Sequence, residues 1–258
     1  MKRELNLDER KRIQLEMLSE IHKICLSQGI RYSLAYGTLI GAIRHKGFIP
    51  WDDDVDIMMP YPDMIKFKEK LDSENLEYCD IDTVNYYDYP FSRIAQRKTF
   101  AKTGLIAKSY GVNIDLYPIV SIPRDEDGFW EKASELQKKR MTLQRRRTKL
   151  IQILPIKTIP HYKSSLRTLR DFLLNSCEYG STKRYYVVSG PIVNQEKRNK
   201  EIYNFDLFDN LIEVDFEGRK FLSTAHYDEH LKQEYGDYMQ LPPENERQPY
   251  HGGHYYWK

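Results

Sequence analysis

The sequence predicts an α+β fold: a mixed sheet with helices packed on it, plus a helical, basic insertion in the second half of the chain. Three observations carry that expectation. Strand-period and helix-period segments alternate through the first half. A run of aspartates sits inside an otherwise apolar, glycine-punctuated segment, Tyr32 to Met59. Residues 136–170 hold eleven Lys/Arg and no Asp or Glu, although the whole 258-residue chain is only +2, so the remainder is −9. The length allows a sizeable core. Charged residues at 30% and hydrophobic residues at 40% are ordinary for a soluble protein.

Taken in order, residues 8–28 read as a helix. Asp8 can cap it, Ile13, Met17, Ile21 and Ile24 recur at helical spacing, and Gly29 can end it. Tyr32, Leu34 and Tyr36 alternate with Arg31, Ser33 and Ala35, a strand period that Gly37-Thr38 breaks; Leu39 to Arg44 then allows one helical turn or two. Beyond the stiff Phe48-Ile49-Pro50-Trp51 connector, Val55, Ile57 and Met59 alternate with Asp54, Asp56 and Met58 as a strand. A helix over Pro62–Leu71 follows, then strands over Leu76–Val84 and Phe91–Gln96 around an aromatic loop at Tyr86, Tyr87 and Tyr89. Asn113 to Pro118 is a second acidic strand, with Asp115 between two apolar neighbours. Later, Leu211–Phe216 and Lys220–Leu222 flank Glu217-Gly218 as a hairpin, and Ala225–Tyr235 reads as a helix. His226 and His230 are four apart on it, a zinc-like spacing without a third ligand, which fits an exposed helix face better. Cys25, Cys79 and Cys177 lack CxxC spacing and read as reduced, buried thiols.

The chemistry is placed in the Tyr32–Met59 stretch. A Gly-Thr turn feeding a helix start presents free N–H groups suited to phosphate oxygens, and Arg44, His45 and Lys46 add positive charge. On a strand, Asp54 and Asp56 share a face. Adjacent carboxylates repel unless a cation lies between them, and Mg²⁺, which takes a few carboxylates plus phosphate oxygens, suits such a pair.

Gly37-Thr38 followed by Asp54-Val55-Asp56 resembles the signature of the nucleotidyltransferase, polymerase β-like fold. The longer string GTLIGAIRHKGFIPWDDDVDI resembles the LicD family of phosphotransferases, whose relatives include fukutin and fukutin-related protein. The ending YGDYMQLPPENERQPYH, Tyr235 to His251, is similar to the family's ending. Tyr61, where many members carry Arg, and Ile119-Val120, where an acid is common, depart from the pattern. The resemblance implies one LicD-like catalytic domain over 1–258, with 1–123 and 206–258 as core and 124–205 as the helical basic insertion.

It also implies Mg²⁺- or Mn²⁺-dependent transfer of phosphocholine from CDP-choline to a hydroxyl of a cell-surface glycan precursor (teichoic acid, lipopolysaccharide or capsule), releasing CMP. Asp54, Asp56 and Asp115 then act as catalytic metal ligands, joined by Asp52, while Gly37, Thr38 and Arg44 bind the donor's phosphates. Transfer of another nucleotide-activated group (polyol phosphate, phosphoethanolamine or a nucleotidyl group) is the alternative, and a non-catalytic binding protein a third. A choline head group calls for an aromatic cage; among twenty tyrosines, Tyr86, Tyr87, Tyr89, Tyr255, Tyr256 and Trp257 are candidates. The N-terminus is too charged for a signal peptide and no apolar run spans a bilayer, so the expected location is the cytoplasm, including the inner membrane face. The basic arm, interrupted by Leu150–Pro155, suits an anionic membrane surface, a polyanionic or lipid-linked glycan acceptor, or a solvated helical face; nucleic acid is not the expected partner.

Overall fold

The computed structural model describes residues 3–84, 87–103, 107–151, 160–190, 192–248 and 253–258. In chain order the elements are α1 (Leu7–Gln28), β1 (Ser33–Leu34), α2 (Tyr36–Ile40) continued by a π-helical turn (Gly41–His45), β2 (Asp56–Pro60), α3 (Tyr61–Lys70), β3 (Leu76–Cys79), β4 (Ser92–Gln96), β5 (Thr99–Thr103), β6 (Ala107–Ser109) and β7 (Asn113–Ser121). Then come α4 (Glu126–Ile151), α5 (Pro160–Asn175), β8 (Tyr185–Val187), α6 (Gln195–Lys200), β9 (Ile202–Tyr203), β10 (Leu211–Phe216), β11 (Arg219–Thr224), α7 (Tyr227–Tyr235) and β12 (His254–Trp257). The chain forms two compact units: 1–79, 93–117 and 207–258 make the first, 80–92 and 118–206 the second.

In the first unit the strands run in the order β1-β2-β7-β4-β3. Every residue of β2 is buried, as its Ile57-Met58-Met59 run requires of an inner strand. It pairs antiparallel with β1 through Leu34 and Ile57, and the Asp115 N–H donates to the Val55 carbonyl at 2.9 Å, joining β7 to its other side. Helix α1 covers this sheet with Met17, Leu18, Ile21 and Cys25 buried, each large apolar side chain contributing about 1.5–3 kcal/mol. Its cap is Asn6, not Asp8: the Asn6 side chain accepts the Glu9 N–H while the Glu9 side chain accepts the Asn6 N–H, a reciprocal box that Asp8, one turn-position further in, cannot form. Gly29 ends the helix at φ 60°, as the sequence predicts.

Other boundaries move for local reasons. The strand after α3 stops at Cys79 because the Asp80 carboxylate accepts the N–H groups of Asp82 and Thr83 and turns the chain. The expected hairpin is present, with Leu211 paired to Thr224 and Glu217-Gly218 at its tip, both at positive φ. Antiparallel β12 and β6 flank β5, and the Leu5 N–H bonds to the Tyr255 carbonyl at 2.8 Å, fastening the N-terminal segment to the last strand.

The segment 124–205, expected from sequence to be a helical insertion, falls in the second unit and carries strands as well as helices: β8 pairs with Ile119–Ser121 of β7 and with β9. Helices α4 and α5 pack together, with Phe129 stacked on Phe172 at 5.4 Å between ring centres. The acid-free arm finds counter-charges within this unit. Arg167 and Arg170 both pair with Asp82, Arg140 donates to the Asp88 carbonyl and Lys163 to that of Val84. Ile153, Leu154 and Lys157 lie outside the described residues. Among the described residues no helix is long and apolar enough to cross a membrane.

Candidate active site

The site is built where β1 hands over to α2. The sequence places Tyr36 on a strand, but it begins the helix instead, at φ 45°, a conformation that costs a bulky residue energy and persists only where packing enforces it. Here its ring lies edge-on to Tyr117 at 5.0 Å and 5.9 Å from His230. This kink brings Gly37 and Thr38 over the acidic loop. A Cβ on Gly37 would lie 2.6 Å from Asp52 Oδ2, so a side chain at this position would displace that carboxylate. Thr38 is buried, and its Oγ1 accepts the Asp56 N–H at 2.9 Å, which binds the helix start to the head of β2.

Extended β pairing begins only at Asp56, so Asp54 lies in the loop leading into β2 and not on the strand. That loop folds tightly enough that Asp52, Asp53 and Asp54 each bring a carboxylate oxygen within 4.8 Å of the others. Burial, followed by the charge of Asp54 and a hydrogen bond with it, pushes the Asp52 carboxyl up to about 7. Helix α1 braces the loop from outside: Arg10 pairs with buried Asp53 at 3.5 Å, Gln14 donates to the Asp53 carbonyl, and the Lys11 ammonium donates to the carbonyls of Ile49 and Pro50. Burial holds the Lys11 pKa below its usual value. Asp53, absent from the ligand set drawn from sequence, is thus paired with Arg10 of the fold.

Asp56 and Asp115 are both buried, at the heads of neighbouring strands. Asp115 is held from three sides: Arg93 makes a two-pronged bond to its oxygens at 2.6 and 2.9 Å, the Asn113 amide donates at 2.8 Å, and the Tyr117 hydroxyl lies 3.5 Å away. Arg93 also donates to the Tyr110 hydroxyl. Tyr117 is pushed well above its usual pKa by burial and then by the charges of Asp56, Asp115 and Asp54. Two carboxylates at neighbouring strand heads, Asp56 and Asp115, and one in the loop before β2, Asp54, thus all raise the pKa of this one buried phenol.

Arg44 leaves the π-helical turn in another direction. Its guanidinium donates to the carbonyls of Tyr238 and Gln240 at 2.5 and 3.2 Å, so the C-terminal Tyr-Gly-Asp-Tyr run docks onto the motif it resembles family members in sharing. Between them opens a pocket of about 500 Å³ with Gly37, Arg44 and Trp51 on one side and Tyr235, Tyr238 and Pro242 on the other. Arg247 lies over the Trp51 ring at 5.5 Å. The helix-face reading of the two histidines is corrected: His230 is fully buried, which depresses its pKa to about 4, while His226 bonds Asp209 at 3.0 Å. Cys25 and Cys79 are buried as expected, Cys177 only half so. Tyr86 and His251 lie outside the described residues.

The carboxylate cluster thus lies beside a pocket whose charged lining residues are Arg44, Asp237 and Glu246. Residues 29–167 match the family model "LicD/FKTN/FKRP, nucleotidyltransferase domain". Over 96% of this chain and 97% of the other, the sequence is 30% identical to the "Lipopolysaccharide cholinephosphotransferase LicD" of Haemophilus influenzae. It is also 38% identical to uncharacterized proteins of Rickettsia typhi, over 25% of this chain and 21% of that one, and of Rickettsia prowazekii, over 28% and 26%. The chain belongs to the LicD/FKTN/FKRP family and is a phosphotransferase of the LicD type.

Proposed function

We propose that the protein transfers phosphocholine from CDP-choline to a hydroxyl of a glycan precursor, releasing CMP, with lipopolysaccharide the acceptor class named by its Haemophilus relative. The observation that carries the reading is the carboxylate cluster, with oxygens of Asp52, Asp53 and Asp54 within 4.8 Å and Asp56 and Asp115 at adjacent strand heads. A carboxyl pair as close as Asp52 and Asp54 holds either a shared proton or a cation, and an all-oxygen donor set of this charge fits Mg²⁺ or Mn²⁺. Asp52, Asp54, Asp56 and Asp115 would hold it. When bound, the metal neutralises charge on the donor's pyrophosphate.

The chain's own groups do the rest. Arg93 orients Asp115 through two charge-assisted hydrogen bonds, and the Gly37 backbone lets a phosphate approach the cluster without a side chain between. Arg44 adds a cation on the leaving-group side. A carboxylate of the cluster accepts the proton of the attacking sugar hydroxyl.

A second reading, transfer of a different nucleotide-activated group, is favoured by one observation. Of the cage candidates, Tyr255 already faces the Arg10 guanidinium at 5.3 Å, Tyr256 stacks on Phe100, and Tyr87 and Tyr89 pack edge-on to each other. Incubation of the protein with Mg²⁺ and CDP-choline, CDP-ethanolamine, CDP-glycerol and CDP-ribitol separates the readings. CMP release with CDP-choline preferred about tenfold, the scale of cation–π discrimination, supports the first. Equal use of all four supports the second, and pyrophosphate release from a nucleoside triphosphate in place of CMP would exclude the first and point to the nucleotidyl form of the second.

A further inference from the structure

The tip of the β10–β11 hairpin is built against local preference, and the contact it makes leads straight to the acidic loop. We infer that Glu217 is a positioning residue for the transfer reaction: from the hairpin tip it fixes the connector that carries Asp52, Asp53 and Asp54 to their places. The inference rests on the carboxylate-site reading above and adds what holds that site from a distant part of the chain.

Phe216 pairs with Arg219, so Glu217 and Gly218 form a two-residue tip, at φ 51° and 72°. Asn-Gly, Asp-Gly and Gly-Gly serve such tips, because both residues adopt positive φ there. A glutamate does nothing for the turn, and a residue held in a sparsely populated conformation persists only where its surroundings enforce it. Here the enforcing contact is the segment after the π-helical turn. The Glu217 N–H donates to the Lys46 carbonyl at 2.9 Å, and Glu217 Oε1 accepts the Phe48 N–H at 3.0 Å. Lys46 is itself at φ 59°, so of the three non-glycine residues at positive φ among those described, two are joined by a hydrogen bond. Gly47, between the two bonded residues, is buried, and a Cβ there would run into Glu217 Oε1. Phe48 packs edge-on to Phe216 at 4.8 Å between ring centres.

From this contact the chain runs through Ile49, Pro50 and Trp51 to Asp52. The Lys11 ammonium holds the carbonyls of Ile49 and Pro50, and the Asp52 N–H donates to the Ile49 carbonyl at 3.0 Å. The connector therefore has one anchor on α1 and a second on the hairpin tip. An aspartate at 217 would suit the turn, but it is one carbon shorter and falls short of the Phe48 N–H. Reach, not turn preference, is what position 217 uses.

The test compares the full-length wild type with Glu217→Asn, which suits the tip but lacks the reach, and Glu217→Gln, which keeps both the reach and the acceptor oxygen. Three quantities are read: melting temperature, amide hydrogen exchange across residues 49–54, and CMP release from CDP-choline in Mg²⁺. Glu217→Asn should melt within about 4 °C of wild type, since relief at the tip offsets the lost hydrogen bond. Its exchange across 49–54 should be about tenfold faster while the strands of the sheet are unchanged, and kcat should fall about tenfold at unaltered donor KM. Glu217→Gln should bring both back to within about twofold of wild type. Glu217→Gly, which removes side chain and strain together, gives the same comparison should the Asn protein not fold. Unchanged exchange across 49–54 in Glu217→Asn overturns the inference, as does unchanged turnover beside faster exchange. A loss that Glu217→Gln shares in full, or a rise in exchange spread over the whole fold, overturns it too, since the first marks a role for the charge and the second a role in stability alone. Wild type that releases no CMP removes the transferase reading, whereas faster exchange confined to the loop and reversed by Gln still upholds the anchor.

Discussion

Asp52→Asn should stabilise the metal-free protein, and the gain should depend on pH in a defined direction. Burial and Asp54 raise the Asp52 carboxyl from an ordinary 3.8 to about 7. A raised carboxyl pKa means that the folded state binds the proton more tightly than the unfolded chain, so stability falls as pH rises between the two values and the full penalty is present above about pH 7. At 1.36 kcal/mol per pH unit, the interval is worth on the order of 2 to 4 kcal/mol, taken low because Asp54 shares the effect. For a chain of this length each kcal/mol moves the melting temperature by roughly 2–4 °C. The assay is thermal unfolding of wild type and Asp52→Asn in EDTA across about pH 4 to 8, read as the difference between them. The variant should melt higher at the alkaline end, and the two should converge at about pH 4. Saturating Mg²⁺ should raise the wild type more than the variant. A variant that melts at or below wild type at about pH 8 in EDTA would refute the repulsion on which the metal assignment rests.

Two further outcomes rest on individual contacts and a third on the charge of the basic arm. Arg93→Met should cost about 3–5 kcal/mol, because it strands a buried Asp115 charge, whereas the double variant with Asp115→Leu should recover much of that in a thermal-melt cycle; additive losses would contradict the pairing. Gly37→Ala forces a methyl against the Asp52 oxygen and should cut donor turnover by at least about tenfold while the far-ultraviolet spectrum stays unchanged, and full activity would contradict the close approach. Replacing Arg145, Arg146 and Arg147 with Gln should weaken sedimentation with anionic liposomes at low salt and leave CMP release unchanged, since charges near such a surface contribute about 1 kcal/mol each and are screened at about 1 M salt. Wild type that ignores anionic vesicles at low salt removes the membrane role of the arm.

What the sequence reveals of this molecule follows how local each cause is. The α1 stripe, its Gly29 stop and the Leu211–Thr224 hairpin are set by residues within a few positions of one another, and all three are found as expected. Tyr36 is misplaced because its φ of 45° is enforced by Tyr117 and His230, which are far away in the chain. Asp54 and Asp56 are legible as acids but not as loop and strand, since the alternating pattern runs one residue pair past the point where pairing starts. Arg93 carries no motif and meets Asp115 across 22 positions, and Arg10 meets Asp53 across 43, so only folding discloses either. The docking of Tyr238 and Gln240 on Arg44 has no local signal, because no periodicity links positions 194 and 196 residues apart. Likewise, the acid-free arm looks uncompensated until Asp82 is placed beside Arg167 and Arg170.

The carboxylates carry the proposed reaction, and the most direct measurement is CMP release from CDP-choline by Asp54→Asn, Asp56→Asn and Asp115→Asn, each titrated with Mg²⁺ beside wild type and checked for folding by circular dichroism. Each variant is predicted to fold and to release CMP at least about a hundredfold more slowly at every Mg²⁺ concentration, the scale expected when a group stabilising transition-state charge is lost. Near-normal turnover at saturating Mg²⁺ by any one of them would contradict its assignment as a ligand, and near-normal turnover by all three would end the metal-site reading.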